Sequence, residues 1–117
     1  TQIFADVFVK HATPLYERTL EEMTEELIGR GCADGLIVTG RKTGASPKAE
    51  LLRAVRAAAH GVPVLIGSGL TSDNAQVLLA ESDGAIVGTW FKKDGAIHAS
   101  VDPERVRAMV SIASRIE

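Results

Sequence analysis

One feature limits this chain of 117 residues more than any other: a four-fold alternation of short apolar runs with segments of helical periodicity. The apolar runs are IFADVFVKH (3–11), ADGLIVTG (33–40), VPVLIG (62–67) and DGAIVGTWF (83–91). Between the first two, Leu20, Met23, Leu27 and Ile28 fall at helical spacing. Thr19 and Glu22 have the spacing of a capping box, and Gly29 or Gly31 can end that helix. A second helix is expected after Ser46-Pro47, an N-cap followed by proline at the first helical position, with Leu51, Leu52, Val55 and Ala59 as its stripe and His60-Gly61 as its stop. A third is expected from about Ser72 to Ala80. Asp102-Pro103 opens a fourth, with Val106, Met109, Val110 and Ala113 on one side.

Strands alternating with helices imply right-handed βαβ units and a parallel sheet. The runs GLIV, VPVLI and GAIV are continuously apolar, as when both faces of a sheet are covered. Two α/β architectures contain four such units: an open doubly wound parallel sheet, and half of a (β/α)₈ barrel, since a whole barrel takes about 250 residues. In both, function lies at the C-terminal ends of the strands. The chain opens in what reads as mid-strand, so residues 1–117 are expected to be a single partial domain.

Composition narrows the function. The chain carries a formal net charge of −2, which argues against non-specific nucleic-acid binding. No apolar run approaches the roughly 20 residues of a membrane-spanning helix. Cys32 is the lone cysteine, which excludes an internal disulfide and a cysteine-rich zinc site, and a reducing, cytoplasmic setting is expected. Cys32 itself is expected to be buried and inert. His11, His60 and His98 are scattered without ligand spacing, so neither a metal site nor a cofactor is expected.

The third run ends in Gly67-Ser68-Gly69, directly before a helix. Glycine permits positive φ and lets a ligand approach without meeting a Cβ. Backbone donors at a helix start, with the hydroxyl of Ser68, can hold an anion. The fourth run ends similarly, in Gly88-Thr89. Two consecutive strands ending this way resemble the phosphate site formed after strands 7 and 8 of many (β/α)₈ barrels. The competing explanation is that these glycines make tight turns and nothing more. The Rossmann fingerprint is absent after the first strand, and GRKTGAS carries its glycines, Lys42 and Thr43 in the wrong order for a P-loop.

Other polar residues collect at the same strand ends. In the first run Ile3, Ala5, Val7 and Val9 face one way, and Phe4, Asp6, Phe8 and Lys10 the other. Asp6 and Lys10 stand about 13 Å apart along that strand, too far to pair. Lys10 is a candidate anion ligand or amine nucleophile, His11 a candidate acid or base, and Asp6 a third candidate catalytic group. Each has a plainer reading: solvated charges at the rim, and a polar partner inside a barrel for Asp6. Thr39, Gly40, Lys42 and Thr43 form a compact rim loop that can close over an anion. Lys92 adds positive charge near Gly88-Thr89, although Lys92-Lys93-Asp94-Gly95 also reads as a simple charged turn.

The segments ADVFVKHA (5–12), VTGRKTG (38–44), PVLIGSGLTSDNA (63–75), DGAIVGTWFKKDG (83–95) and VDPERVRAMV (101–110) together resemble the C-terminal half of the BtpA family. The resemblance implies half of a (β/α)₈ barrel of the ribulose-phosphate-binding type, with an N-terminal half of similar size elsewhere. It also implies a role, in photosynthetic members, in the biogenesis and stability of photosystem I, at the periphery of a photosynthetic membrane. Two functions follow as expectations. One is a binder or enzyme for a phosphorylated small molecule or inorganic anion. The other is a non-catalytic assembly factor for membrane-complex subunits. Open edge strands invite pairing with another chain, so either self-association or union with a missing N-terminal half is expected.

Overall fold

The structure is a computed structural model; it describes residues 1–7, 19–40 and 45–116. The elements alternate as β1 (Phe4–Asp6), α1 (Leu20–Gly29), β2 (Gly35–Val38), α2 (Ala49–Ala59), β3 (Val64–Ile66), α3 (Ala75–Ala80), β4 (Gly84–Ala85) and α4 (Pro103–Ser114). The four strands form one parallel sheet in the order β1-β2-β3-β4. Spatial order follows chain order, without the reversal that defines a doubly wound sheet.

Register explains which residues are buried. Ala5 pairs with Leu36, Leu36 with Val64, Val38 with Ile66 and Ile66 with Ala85. These residues, with Val7, point toward the helices, where Leu36, Val38, Val64 and Ile66 are wholly excluded from solvent. They meet Leu52, Val55 and Ala59 of α2, Ala75 and Leu78 of α3 and Met109 of α4 in one apolar core. The other parity is Phe4, Asp6, Ile37, Leu65 and Ile86, and none of these joins that core. Phe4 remains 48% exposed and Ile86 51%. The helices therefore cover one face of the sheet, not both as the continuous apolar runs suggested. Ile37 and Leu65 make those runs apolar without facing a helix.

Local chemistry sets the helix ends. Thr19 caps α1 with the expected box: its hydroxyl accepts from the Glu22 amide at 3.2 Å, and the Glu22 carboxylate accepts from the Thr19 amide at 3.3 Å. Asp102 caps α4, accepting from the Glu104 amide at 3.0 Å, with Pro103 in the first turn. His60 ends α2 in the left-handed region at φ 49°. Two ion pairs tie α2 to the segment around β4. Arg53 bonds Glu81 at 2.8 Å, and Arg56 bonds Asp83 at 2.9 Å. The second Asp83 oxygen accepts from the Val64 amide at 2.9 Å, so this carboxylate also fixes the start of β3. The Glu81 hydrogen bond, and then its charge, raise the pKa of the Arg53 guanidinium above its ordinary value.

Several boundaries differ from the sequence expectation. α2 starts at Ala49 with Lys48 as its N-cap, so Ser46-Pro47 lies before the helix, and the Pro47 ring is buried. α3 starts at Ala75, because residues 72–74 form a turn. The fourth strand stops at Ala85, and Thr89–Phe91 winds into a 3₁₀ turn. Val110 is 59% exposed on α4, while Met109 alone of its predicted stripe is fully buried. Cys32 is exposed, not buried, at φ 52°. It follows the last turn of α1, where the chain reverses to enter β2, with its Sγ 4.0 Å from the Gly29 and Arg30 carbonyl oxygens.

Candidate functional site

The turns after β3 and β4 lie side by side. Backbone pairing runs one residue beyond each strand: the Gly67 amide donates to the Val38 carbonyl and the Ile86 amide to the Ile66 carbonyl, both at 2.8 Å. Thr39, Gly67 and Ile86 thus stand at one level at the C-terminal end of the sheet. Gly69 and Gly88 follow two residues above that level. The strands leading into Gly67-Ser68-Gly69 and Gly88-Thr89 are neighbours in the sheet.

What surrounds the two glycine turns differs. A Cβ on Gly67 would lie 2.6 Å from Cγ2 of both Ile37 and Thr39. Gly69 has φ 77°, and a Cβ there would overlap the Ser46 amide and the Ala45 carbonyl carbon. The Ala45 carbonyl accepts from Ser68 Oγ at 3.1 Å and from the Gly40 amide at 3.2 Å. A Cβ on Gly40 would overlap that same carbonyl. The glycines at 40, 67 and 69 let the loop before α2 lie directly on the turn after β3. Asn74 closes this knot: its Oδ1 accepts from the Thr71 amide at 2.8 Å and its Nδ2 donates to the Gly69 carbonyl at 3.0 Å. Sequence reasoning missed Asn74. Its signal was an asparagine three residues after Thr71 in a segment already expected to start a helix, the position from which a side-chain amide can reach the turn backbone.

Around Gly88 the surroundings are open. Among the described residues, no atom beyond its chain neighbours lies within 4 Å of where its Cβ would be. The chain beyond it is held by its own contacts. The Phe91 amide donates to the Gly88 carbonyl at 3.0 Å, and Lys93 and Asp102 pair their amides with the Ser100 and Phe91 carbonyls. Arg105 of α4 lies over the Trp90 ring, 5.1 Å from its centroid, and donates to the Trp90 carbonyl at 2.8 Å. Asp94 and Gly95 turn the chain at φ 55° and 68°, as the KKDG reading expected. Thr89 is exposed and Lys92 half-buried beside this open turn.

The remaining candidates separate. Asp6 is exposed on the sheet face opposite the helices, paired in register with Ile37. That places it two residues, about 7 Å, below the level of Thr39 and Gly67. Lys10, His11, Lys42 and Thr43 lie outside the described residues. Thr39 and Gly40 flank the knot, Thr39 half-buried and Gly40 buried. His60 and His98 are exposed and far apart in the chain. Among the described residues no helix is long and apolar enough to cross a membrane.

A parallel α/β sheet in sequential order, helix-covered on one face and carrying two adjacent glycine turns at its strand ends, defines the class. Within that class the chain belongs to the BtpA family, whose model matches residues 1–115. It is 44% identical over 108 residues to the photosystem I biogenesis protein BtpA of Synechocystis, covering 92% of this chain and 38% of that protein. It is 42% identical over 113 residues to an uncharacterised protein of Pyrococcus furiosus, covering 96% of this chain and 42% of that one. An uncharacterised protein of Methanocaldococcus jannaschii is 35% identical over 116 residues, 99% of this chain and 43% of its own length. The chain thus spans about two fifths of the length of these relatives.

Proposed function

We propose that this chain is four consecutive units of a (β/α)₈ barrel and that it binds a phosphorylated small molecule at the C-terminal ends of β3 and β4. Sequential strand order with helices on one face supports the barrel: a barrel is such a sheet closed on itself, its bare face turned inward. The relatives are long enough to supply the remaining strands. The observation that carries the binding reading is the pair of adjacent turns, one rigid and filled, the other open at Gly88 with the Thr89 hydroxyl and Lys92 beside it. The filled turn gives the site a fixed wall, and the open one lets an anion approach the backbone without meeting a side chain. Lys10, His11 and the rim loop with Lys42 and Thr43 stand in this reading as further ligands, with Lys10, His11 or Asp6 supplying any acid–base chemistry.

The test is thermal unfolding with and without millimolar phosphate, sulfate and ribose 5-phosphate at matched ionic strength. A ligand at ten times its Kd raises the midpoint by roughly 4–8 °C. Gly88→Asp, which places a carboxylate in the open space, is expected to abolish that rise. The reading falls if no ligand moves the midpoint either in this chain or in this chain joined to the rest of a relative. The second reading, a non-catalytic assembly factor acting on membrane-complex subunits, is favoured by the name of the Synechocystis relative. It predicts co-purifying protein partners and melting that phosphate leaves unmoved.

A further inference from the structure

The segment that follows Gly88 does not take the course its residue types favour. Thr89, Trp90 and Phe91 suit a strand, yet β4 stops at Ala85 and residues 89–91 wind into a 3₁₀ turn that leaves the sheet. The carbonyls of that segment show what holds it there. Gly88 accepts from the Phe91 amide at 3.0 Å, Thr89 from the Lys92 amide at 3.1 Å and Phe91 from the Asp102 amide at 2.7 Å. Trp90 differs, because its partner is a side chain: Arg105 Nη1 donates to its carbonyl at 2.8 Å. The same guanidinium lies over the Trp90 ring, 5.1 Å from its centroid. Both residues are half-buried. Arg105 stands in the first turn of α4, which is itself fastened by Pro103 and by the Asp102 cap on the Glu104 amide. One arginine therefore ties both the ring and the carbonyl of Trp90 to a helix instead of to the sheet.

We infer that Arg105 is the positioning residue of the anion site: it holds the Gly88-Thr89 turn in its open course and keeps the Trp90 carbonyl engaged. This rests on the phosphate reading of that turn given above. Two effects make the turn depend on it. Released from α4, Thr89, Trp90 and Phe91 are free to follow their strand preference, and the shape of the turn before them changes. A released Trp90 carbonyl also presents its partial negative charge within two residues of the glycine that the anion approaches. A carbonyl bound to a guanidinium has that charge offset, since hydrogen bonds from charged donors are the stronger kind. Arginine suits the task, because a planar fork can lie on an indole face and donate at its edge at once. The compact ammonium of lysine matches that geometry less well. Arg105 does all this without touching the ligand.

Trp90 is the one tryptophan of the chain, so its emission reports this contact directly. The experiment titrates inorganic phosphate into the chain well below its melting midpoint, reads Trp90 emission, and repeats the titration with Arg105→Met, Arg105→Gln and Arg105→Lys. Arg105→Met, which keeps the length of the side chain and removes its donors and charge, is expected to weaken phosphate binding about tenfold. Arg105→Lys, which restores a cation and a donor, is expected to recover most of that loss. A purely structural role lowers the melting midpoint and leaves the affinity of the folded chain alone. An Arg105→Met chain that binds phosphate as tightly as the parent therefore overturns the inference and leaves the site standing. Should Arg105→Met fail to fold, Arg105→Gln, which keeps a neutral donor, is read in its place with the same two outcomes. A lysine variant no better than its neutral counterpart assigns the loss to repacking of α4 and also overturns the inference. A parent chain in which phosphate moves neither emission nor midpoint overturns the inference and the phosphate reading of this chain together.

Discussion

The turn after β3 and the turn after β4 carry nearly the same residues, Gly-Ser-Gly and Gly-Thr, at neighbouring positions on one sheet edge. Their causes differ. Gly67 and Gly69 are glycine because other parts of the same chain occupy the space: Ile37, Thr39, Ala45 and Ser46. Gly88 has no such neighbour among the described residues. A glycine filled by its own fold needs no ligand to explain it. A glycine that meets no described residue is not explained by packing against them. The pair therefore divides a single sequence signature into a structural half and a candidate binding half.

The sharpest break of this comparison is Gly69→Ala. The site requires φ 77°, and a Cβ there overlaps Ser46 backbone, which cannot move without lifting the loop before α2. A loss of about 2–4 kcal/mol of stability is expected from the strained backbone and the overpacking. Urea unfolding measures it directly, and a loss below 1 kcal/mol would show that the loop does not rest on this turn. For the same reason Gly69→Asp is a poor probe of anion binding: it disrupts the turn before its charge can act. Gly67→Ala follows at about 1–3 kcal/mol. Its obstacles are two methyl groups at 2.6 Å, and side chains yield more readily than backbone.

Asn74→Ala tests the knot from its other side. It leaves the Thr71 amide and the Gly69 carbonyl without their partners in a half-buried turn. A loss of about 1–2 kcal/mol is expected, together with faster amide exchange at Thr71. Unchanged exchange there would mean that water replaces the side chain without cost.

The reach of sequence reasoning follows the same division. Periodicity in Leu51, Leu52, Val55 and Ala59, and the caps at Thr19 and Asp102, are properties of neighbouring residues; they located the helices and, for α1 and α4, their starts, whereas α2 and α3 begin two and three residues later than expected. Strand content was legible from apolar runs, but the end of β4 was not. Thr89, Trp90 and Phe91 have strand propensity, yet Arg105, fifteen residues on, holds the Trp90 carbonyl and ring in a different course. Tertiary contact overrides local preference there. The same limit hid the origin of the glycines, since Ala45 and Ser46 reach Gly69 only through the folded sheet. The single coverage of the sheet was hidden for another reason: Ile37 and Leu65 are as apolar as residues that face a helix, and one chain of four units does not state what lies on its other side.

Gly88→Ala is expected to have the smallest effect, below about 1 kcal/mol in urea unfolding, because the added methyl meets no atom of the described residues. Its value lies in the contrast with Gly69→Ala. If both cost several kcal/mol, the turns are alike and the comparison fails. If Gly88→Ala is tolerated but reduces the stabilisation by phosphate, the methyl stands where the ligand approaches and the open turn is a binding surface. If stability and phosphate response are both unchanged, Gly88 is open without purpose in this segment. The anion reading would then have to rest on Lys10, His11 and Lys42, where charge, rather than backbone approach, does the holding.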